Sequence, residues 1–194
     1  MNPPPFILAS ASPRRAELLR QILPDFQIVP SAAPEVHDHQ LTAWEMAQVN
    51  AYRKARAVAK KFPDALVLGA DTLVYLDRET KLFGKPANHA DAQCMLTELQ
   101  GRMHAVITGV CLLHLRSHRQ KVFAEWTDVK FLPLTTKQIK EYLALTNPLD
   151  KAGAYAIQEH GERIVAEISG SYSNVMGLPV ERMREELSEW QEQS

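Results

Sequence analysis

The sequence predicts an α/β fold with a mixed sheet, and three observations support that prediction. Amphipathic helical segments alternate with short apolar segments, as they do in α/β proteins. Residues 66–70 are almost wholly apolar, which is the pattern of a strand buried on both faces. Strand-like segments flank short polar turns at residues 77–80 and 116–119, which indicates hairpins. No low-complexity linker divides residues 1–194, so we expect one domain.

Composition and charge exclude several classes of protein. The chain has 194 residues, of which 45% are hydrophobic and 23% charged, as is ordinary for a soluble globular domain. Lys and Arg number 22 against 23 Asp and Glu, which gives a net charge of −1. That balance disfavours a bulk nucleic-acid binder, because such proteins are strongly basic. A small anionic substrate needs only a local cluster of cations and stays open.

The chain shows no sequence signal for a membrane or an oxidising compartment. No apolar run approaches the ~20 residues that span a bilayer, and the run after Met1 is too short for a signal peptide. We therefore expect no membrane association and a cytoplasmic location. Cys94 and Cys111 are too few for a disulfide framework. Their apolar surroundings predict buried free thiols.

The N-terminal part is predicted to form a strand, a helix and a second strand. Apolar residues 6–9 form the first strand. A helix over residues 14–22 follows, with Ser12 placed to cap it and Pro13 suited to a first helical position. Residues 26–29 form the second short strand.

A long helix with a face of small residues is predicted next. Thr42 and Glu45 have the spacing of a capping box, so the helix begins there and runs to about Phe62. Alanines one turn apart form its packing face: Ala47, Ala51, Ala55 and Ala59. The apolar strand over residues 66–70 comes after it and continues to residue 76.

The rest of the chain is predicted to contain both strands and helices. In order, we expect a turn at 77–80, a strand at 81–83, a helix from Asn88 to Leu99, strands at 105–115 and 120–131, a helix from Thr135 to Leu145, strands at 153–157 and 164–168, and a last helix with Val180, Met183, Leu187 and Trp190 on its apolar face.

The start of the first helix is a candidate anion site. Free backbone amides and the positive end of the helix dipole lie there, and Ser10 and Ser12 add hydroxyl donors. Arg14 and Arg15 add guanidinium groups, which suit phosphate oxygens. A capped helix with two solvated arginines explains the same residues equally well.

Asp71 is a second candidate, because it stands at the end of the apolar strand segment 66–70, and ligands bind at the ends of strands in α/β proteins. A buried carboxylate costs several kcal/mol unless it is paired or binds a cation. This placement favours a metal ligand or a general base. The alternative, an Asp that caps a turn, is weakened because the strand pattern continues through Thr72.

Three further segments carry polar groups between small or rigid residues. Lys85 stands between Gly84 and Pro86, which suits a fixed cation, although a surface turn explains it as well. Gln158 ends the small-residue segment 150–158 and carries an amide able to read a base edge. Residues 170–179 form a polar segment bounded by Gly. We predict a loop that either contacts a ligand or only connects the preceding strand to the last helix.

Taken together and in this order, these segments resemble the Maf family of nucleoside triphosphate pyrophosphatases, over nearly the whole chain. The resembling segments are residues 10–19, Lys54-Ala55, 69–72, 84–86, Gly101-Arg102 with His104, 108–110, 150–158 and 170–179. The resemblance implies a mixed sheet akin to that of inosine triphosphate pyrophosphatases, in two lobes with a central cleft.

The resemblance also implies a reaction and a substrate class. The reaction is hydrolysis between the α and β phosphates, which yields a monophosphate and pyrophosphate with Mg²⁺ or Mn²⁺ as the divalent cation. Arg14, Thr72 and Gln158 match the branch of the family that acts on dTTP and UTP. A homodimer is consistent with the family.

Residue roles follow from the chemistry that such a reaction needs, since a triphosphate with a divalent cation requires both cations and carboxylates at its site. Asp71 is expected to accept a proton from the attacking water or to hold that water, while Lys54 and Lys85 neutralise charge on the leaving pyrophosphate. Asp71 and Glu35 would hold the metal. The substrate-binding residues would be Ser10, Arg14, Arg15, Thr72 and Gln158.

The sequence departs from the family pattern at three places and leaves two other functions open. Pro34 replaces the usual acid before Glu35, Asn147 stands where an acid is common, and Glu159 stands where Gly is usual. One alternative function is inhibition of septum formation by binding nucleotide or a division partner without catalysis. The other is the same hydrolysis with 7-methyl-GTP as substrate.

Overall fold

A computed structural model describes residues 4–76 and 81–192 of the chain. Within those ranges it contains strands β1–β7 and helices α1–α6, joined by loops and short 3₁₀ turns. In chain order they are β1 Phe6–Leu8, α1 Pro13–Arg20, β2 Gln27–Ile28, α2 Ala43–Ala59, β3 Leu66–Leu76, β4 Lys81–Phe83, α3 His89–Leu99, β5 Met103–His114, β6 Arg119–Phe131, α4 Thr136–Leu145, β7 Val165–Ser169, α5 Tyr172–Met176 and α6 Val180–Glu192.

The strands form one mixed sheet, which confirms the predicted fold class. Their order is β2-β1-β3-β5-β6-β7, and β4 pairs with β3. Strand β1 runs parallel to β2 and to β3, whereas β4 is antiparallel to β3 and β7 is antiparallel to β6. No helix in the described part of the chain is long and apolar enough to cross a membrane.

The described residues fall into two compact units. The first takes its residues from Met1–Asp71, Thr108–Glu125 and Gly177–Ser194, and the second from Thr72–Ile107 and Trp126–Met176. The core of the second unit is built mainly by α3, α4 and the strands beside them, with Phe131, Tyr142 and Tyr155 among its large side chains.

Helix α2 packs closely on the part of β3 and β5 that belongs to the first unit. Its predicted alanine face is confirmed, since all four alanines are fully buried. A Cβ atom built on Gly69 would lie 2.3 Å from the carbonyl oxygen of Ala51, and one built on Gly109 would lie 2.2 Å from that of Ala47. Glycines on β3 and β5 therefore let the helix backbone approach the strands to a distance that no side chain would allow.

Local signals predicted most helix starts correctly. Both capping boxes are present, one at Thr42 with Glu45 and one at Thr135 with Gln138, and Asn88 caps α3 by accepting from the amide of Asp91. Ser12 occupies the N-cap position of α1, but its side chain makes no capping hydrogen bond. That helix ends at Arg20, two residues earlier than predicted.

Two predictions in the C-terminal half are wrong. Residues 153–157 are not a strand, because Gly153 and Ala154 both have positive φ angles, 67° and 64°, which break an extended chain. A short 3₁₀ turn over Ala152–Ala154 lies there instead. The segment 170–179, predicted to be a loop, contains α5. The predicted turn at residues 77–80 lies outside the described residues.

Two burial predictions also need correction. Cys111 is buried as expected, but Cys94 on α3 is exposed, because it faces away from the buried α3 residues such as Leu96 and Leu99. On α6 the side chain of Leu187 is only half-buried, while Glu186 is 2% exposed. The buried carboxylate of Glu186 is paired with Lys121 and Arg182.

Candidate functional site

Helix α2 presents two polar side chains one turn apart, at Asn50 and Lys54. The capping box at its start fixes where the helix begins, and the glycines beneath it fix how closely it approaches β3. Residues four apart lie on the same face of a helix. Asn50 and Lys54 therefore lie together, and both contact Asp71 of β3.

Lys54 bridges two carboxylates. Its Nζ lies 2.5 Å from Oδ1 of Asp71 and 2.7 Å from Oε1 of Glu35. The side chain of Asp71 is 5% exposed and that of Lys54 is 15% exposed, so this ion pair is shielded from water. The geometry brings Glu35 to the same ammonium as Asp71, despite the altered sequence before it.

Asn50 also contacts Asp71, and it was not among the predicted site residues. Its Nδ2 donates to Oδ2 of Asp71 at 3.1 Å and to the carbonyl of Val36 at 3.3 Å, while its Oδ1 accepts from the Val36 amide at 2.7 Å. Asn50 is 1% exposed. It therefore ties the loop that carries Glu35 to α2, and its spacing of four residues from Lys54 was the signal for it.

Arg15 lies at the N-terminal part of α1, within the field of both carboxylates. Its Nε donates to the carbonyl of Gly177 at 2.8 Å, and its Nη1 donates to Oγ of Ser10 at 3.2 Å. Burial lowers the pKa of Arg15; the negative charges of Asp71 and Glu35 raise it, and the charge of Arg14 lowers it. Arg15 remains a cation at neutral pH, because an Arg pKa starts far above that range.

The first unit thus brings together most of the predicted site residues. Lys54 contacts Glu35 and Asp71, Arg15 contacts Ser10, and the charges of the two carboxylates act on Arg15. Arg14 follows Pro13 in α1 and acts on Arg15 through its charge.

The other predicted site residues belong to the second unit. Thr72 directly follows Asp71 in β3 and is half-buried. Lys85 is exposed in the loop after β4. The amide of Gln158 donates from Nε2 to Oε1 of Glu159 at 3.5 Å. The roles of these residues stay predictions.

The carboxylates of Glu35 and Asp71 could bind a hard divalent cation that is also bound by a phosphate group. Within residues 4–76 and 81–192, no group of three or more His, Cys, Asp or Glu side chains is arranged to hold a metal ion. Glu35 and Asp71 nevertheless offer carboxylate oxygens beside one ammonium. Mg²⁺ is commonly bound by one or two carboxylates together with substrate phosphates and water, so these two residues fit that mode.

The chain is similar to known proteins over almost its full length. A model of the Maf-like protein family matches residues 5–190. A dTTP/UTP pyrophosphatase of Symbiobacterium thermophilum is 47% identical, covering 95% of this chain and 93% of that protein. One of Carboxydothermus hydrogenoformans is 46% identical, covering 94% and 97%. The solved structure of a HAM1 protein from Coxiella burnetii matches 65% of this chain and 72% of that chain, with a TM-score of 0.44 and 15% identity.

Proposed function

The chain belongs to the family of Maf-like proteins, and from that premise we propose that it hydrolyses dTTP and UTP. The products are the nucleoside monophosphate and pyrophosphate, so one water molecule is consumed and the bond between the α and β phosphates is cleaved. The names of its relatives support this substrate class. The observation that carries the proposal is the Lys54 bridge between Asp71 and Glu35, since it places a shielded carboxylate and a fixed cation at one point.

Phosphate binding falls to the cations of the first unit. Arg15 offers a guanidinium held by Gly177 and Ser10, and such planar groups bind phosphate oxygens in pairs of hydrogen bonds. Arg14 adds a second positive charge beside it. We assign the polyphosphate chain to these arginines, with Ser10 as an additional donor.

Asp71 is proposed to handle the proton of the attacking water. Its two carboxylate oxygens accept hydrogen bonds from Lys54 and Asn50, which fix the orientation of the group. Either oxygen keeps a lone pair for a water molecule. We assign to Lys54 and to Lys85 the stabilisation of negative charge that develops on the leaving pyrophosphate.

A divalent metal ion would be held by Glu35 and Asp71. When bound, Mg²⁺ or Mn²⁺ supplies polarisation of a phosphoryl oxygen and neutralises charge on the triphosphate. The two carboxylates also contact Lys54, so they would hold the metal together with the substrate phosphates.

Base selection is assigned to the second unit. Gln158 carries an amide that can hydrogen-bond to the edge of a pyrimidine, and Thr72 adds a hydroxyl one residue beyond Asp71. Dependence of pyrimidine preference on Gln158 would support this assignment.

Release of pyrophosphate tests the proposal. We expect purified protein with Mg²⁺ to release pyrophosphate from UTP and dTTP, and Asp71→Asn to reduce kcat by at least about 100-fold, as loss of a general base does. Asp64→Asn is the matched control, because Asp64 is an exposed carboxylate that pairs with Arg116. Orthophosphate release by the wild type, or full activity of Asp71→Asn, would contradict the proposal.

The relatives' names favour neither of the two alternative functions. A triphosphate panel that includes 7-methyl-GTP tests the alternative substrate. An Asp71→Asn protein that still inhibits septum formation would support a role without catalysis. A single domain, a homodimer and a cytoplasmic location stay predictions.

A further inference from the structure

A buried lysine organises the segment that ends at Gln158. Lys151 is 4% exposed, and its Nζ donates to the carbonyl of Asn147 at 2.6 Å and to Oδ1 of Asp150 at 2.9 Å. It also lies 3.3 Å from Oε2 of Glu159. An ammonium has three N–H donors; two of them make these hydrogen bonds, and Glu159 forms an ion pair with the same group. An unpaired charge at this buried position would be costly. The ion pair with Lys151 therefore restrains the carboxylate of Glu159.

The other oxygen of Glu159 faces the amide of Gln158. Oε1 of Glu159 lies 3.5 Å from Nε2 of Gln158. The contact is long, but a carboxylate can only accept hydrogen bonds. The end of the amide that faces it must therefore be the NH₂ group, because a carbonyl oxygen there would be repelled. Glu159 thus favours the orientation in which the NH₂ group of Gln158 faces it.

That orientation leaves the carbonyl oxygen of Gln158 as the end of the amide that lacks a hydrogen-bond donor. Oε1 of Gln158 is buried and has no hydrogen-bond partner among the residues that the structure describes. A buried acceptor without a donor costs about 1–3 kcal/mol, which a donor on a bound ligand would recover. A base that presents an N–H group to this atom would supply the missing hydrogen bond.

We propose that Glu159 is a positioning residue for substrate choice, and this inference rests on the proposed function. Held by Lys151, Glu159 turns the amide of Gln158 so that an acceptor is presented to the base. Uracil and thymine carry a hydrogen on ring nitrogen N3, whereas cytosine has a lone pair there. The arrangement favours UTP and dTTP over CTP through the polarity of one amide.

The test compares UTP with CTP in wild type and in Glu159→Gln. A glutamine at 159 can both donate and accept, so the amide of Gln158 can then adopt either orientation. We expect the ratio of kcat/KM for UTP over CTP to fall about tenfold, mainly through a higher KM for UTP. Glu162→Gln is the control, because Glu162 lies in the same segment, is exposed and pairs with His160; its ratio should match wild type.

A second variant separates this role from a merely structural one. Glu159→Asp keeps a group that can only accept, so we expect it to retain most of the preference for UTP. Equal loss in Glu159→Asp and Glu159→Gln, or an unchanged ratio in Glu159→Gln, would overturn the inference while leaving the pyrophosphatase activity standing. A wild-type protein that cleaves neither nucleotide would overturn the proposed function and this inference with it.

Discussion

The pairing of Lys54 with Asp71 has a cost in stability, which points to a role in function. Shielding both charges from water costs several kcal/mol per ion, and apolar residues of similar volume often replace such pairs without loss. Here the cost is offset by a second carboxylate at Lys54 and by the Asn50 amide at Asp71. This network fixes the orientation of a carboxylate at a buried strand position where an apolar side chain would otherwise be expected.

Asn50 is expected to be needed for turnover. Asn50→Ala removes one donor to Asp71 and the anchor of the Val36 loop. A hydrogen bond to a charged group contributes about 1.5–3 kcal/mol, so kcat for UTP should fall roughly 10- to 100-fold. Arg56→Ala, at an exposed position of the same helix, is the control in the steady-state assay. Unchanged kcat in Asn50→Ala would show that Asp71 does not depend on this amide.

His104 should make stability depend on pH in the acid range. Burial lowers its pKa from 6.5 to about 3, and its Nε2 lies 2.9 Å from the hydroxyl of Tyr155. Between those pKa values the unfolded chain binds more protons than the folded one, so this contribution to stability is complete above pH 6.5 and is lost as the pH falls toward 3. By pH 5 the loss is about 2 kcal/mol.

Urea unfolding at pH 7 and pH 5 checks this expectation. His104→Gln removes the titrating group, so its free energy of unfolding should change less between the two pH values than that of wild type. His89→Gln, at an exposed position, should behave like wild type. The same pH dependence in His104→Gln and wild type would mean that other groups account for it.

At the scale of elements, the contact between α2 and the sheet decides where the site residues lie. The alanine face of α2 meets Gly69 on β3 and Gly109 on β5 at distances that exclude a side chain. Any outward shift of the helix would carry Asn50 and Lys54 away from Asp71. The packing of small residues is therefore linked directly to the geometry of the carboxylate.

Gly109→Ala is expected to destabilise the fold strongly. Its Cβ would lie 2.2 Å from the carbonyl oxygen of Ala47, and the neighbour is backbone that must move. Overpacking of this kind costs about 1–3 kcal/mol and occasionally more. Gly84→Ala is the matched control, since a Cβ there meets nothing within 4 Å. Equal melting temperatures for the two variants would contradict the proposed close packing.

Elements with strong local signals could be predicted from the sequence, and those set by backbone strain could not. The capping boxes at Thr42 and Thr135 satisfy helix-end amides within four residues, so their signal is local. The turn at Gly153 depends on a hydrogen bond from its amide to the carbonyl of Gly84, far away in sequence. Helix α5 is only five residues long, too short for a periodic pattern.

At the scale of the whole molecule, charge could be used to predict part of the site. Asp71 was predictable because a carboxylate next to an apolar strand segment is unusual and therefore indicates a function. Arg15 was predictable because it lies at the start of a helix, where anions bind. Asn50 carries no charge and lies among alanines, so its four-residue spacing from Lys54 is a weak signal, and its contact with Asp71 across the fold is what identifies it. The near-neutral chain has to concentrate its cations locally to bind a triphosphate.

Metal and nucleotide are expected to stabilise the protein only together. The carboxylates of Glu35 and Asp71 already contact Lys54, so Mg²⁺ alone should barely change the melting temperature. Mg²⁺ with a non-hydrolysable UTP analogue at 100 times its Kd should add about 2.7 kcal/mol of stability. Thermal scans with each component alone and with both provide the measurement. A large shift with Mg²⁺ alone would indicate a complete metal site within the protein.

The position of bond cleavage tests the central claim most directly. Phosphorus NMR of UTP with Mg²⁺ and the wild-type protein reports both products at once. We predict UMP and pyrophosphate in equal amounts, without UDP or orthophosphate, and no conversion on the same timescale with Asp71→Asn. Formation of UDP and orthophosphate, or equal conversion by Asp71→Asn, would contradict an Asp71-dependent cleavage between the α and β phosphates.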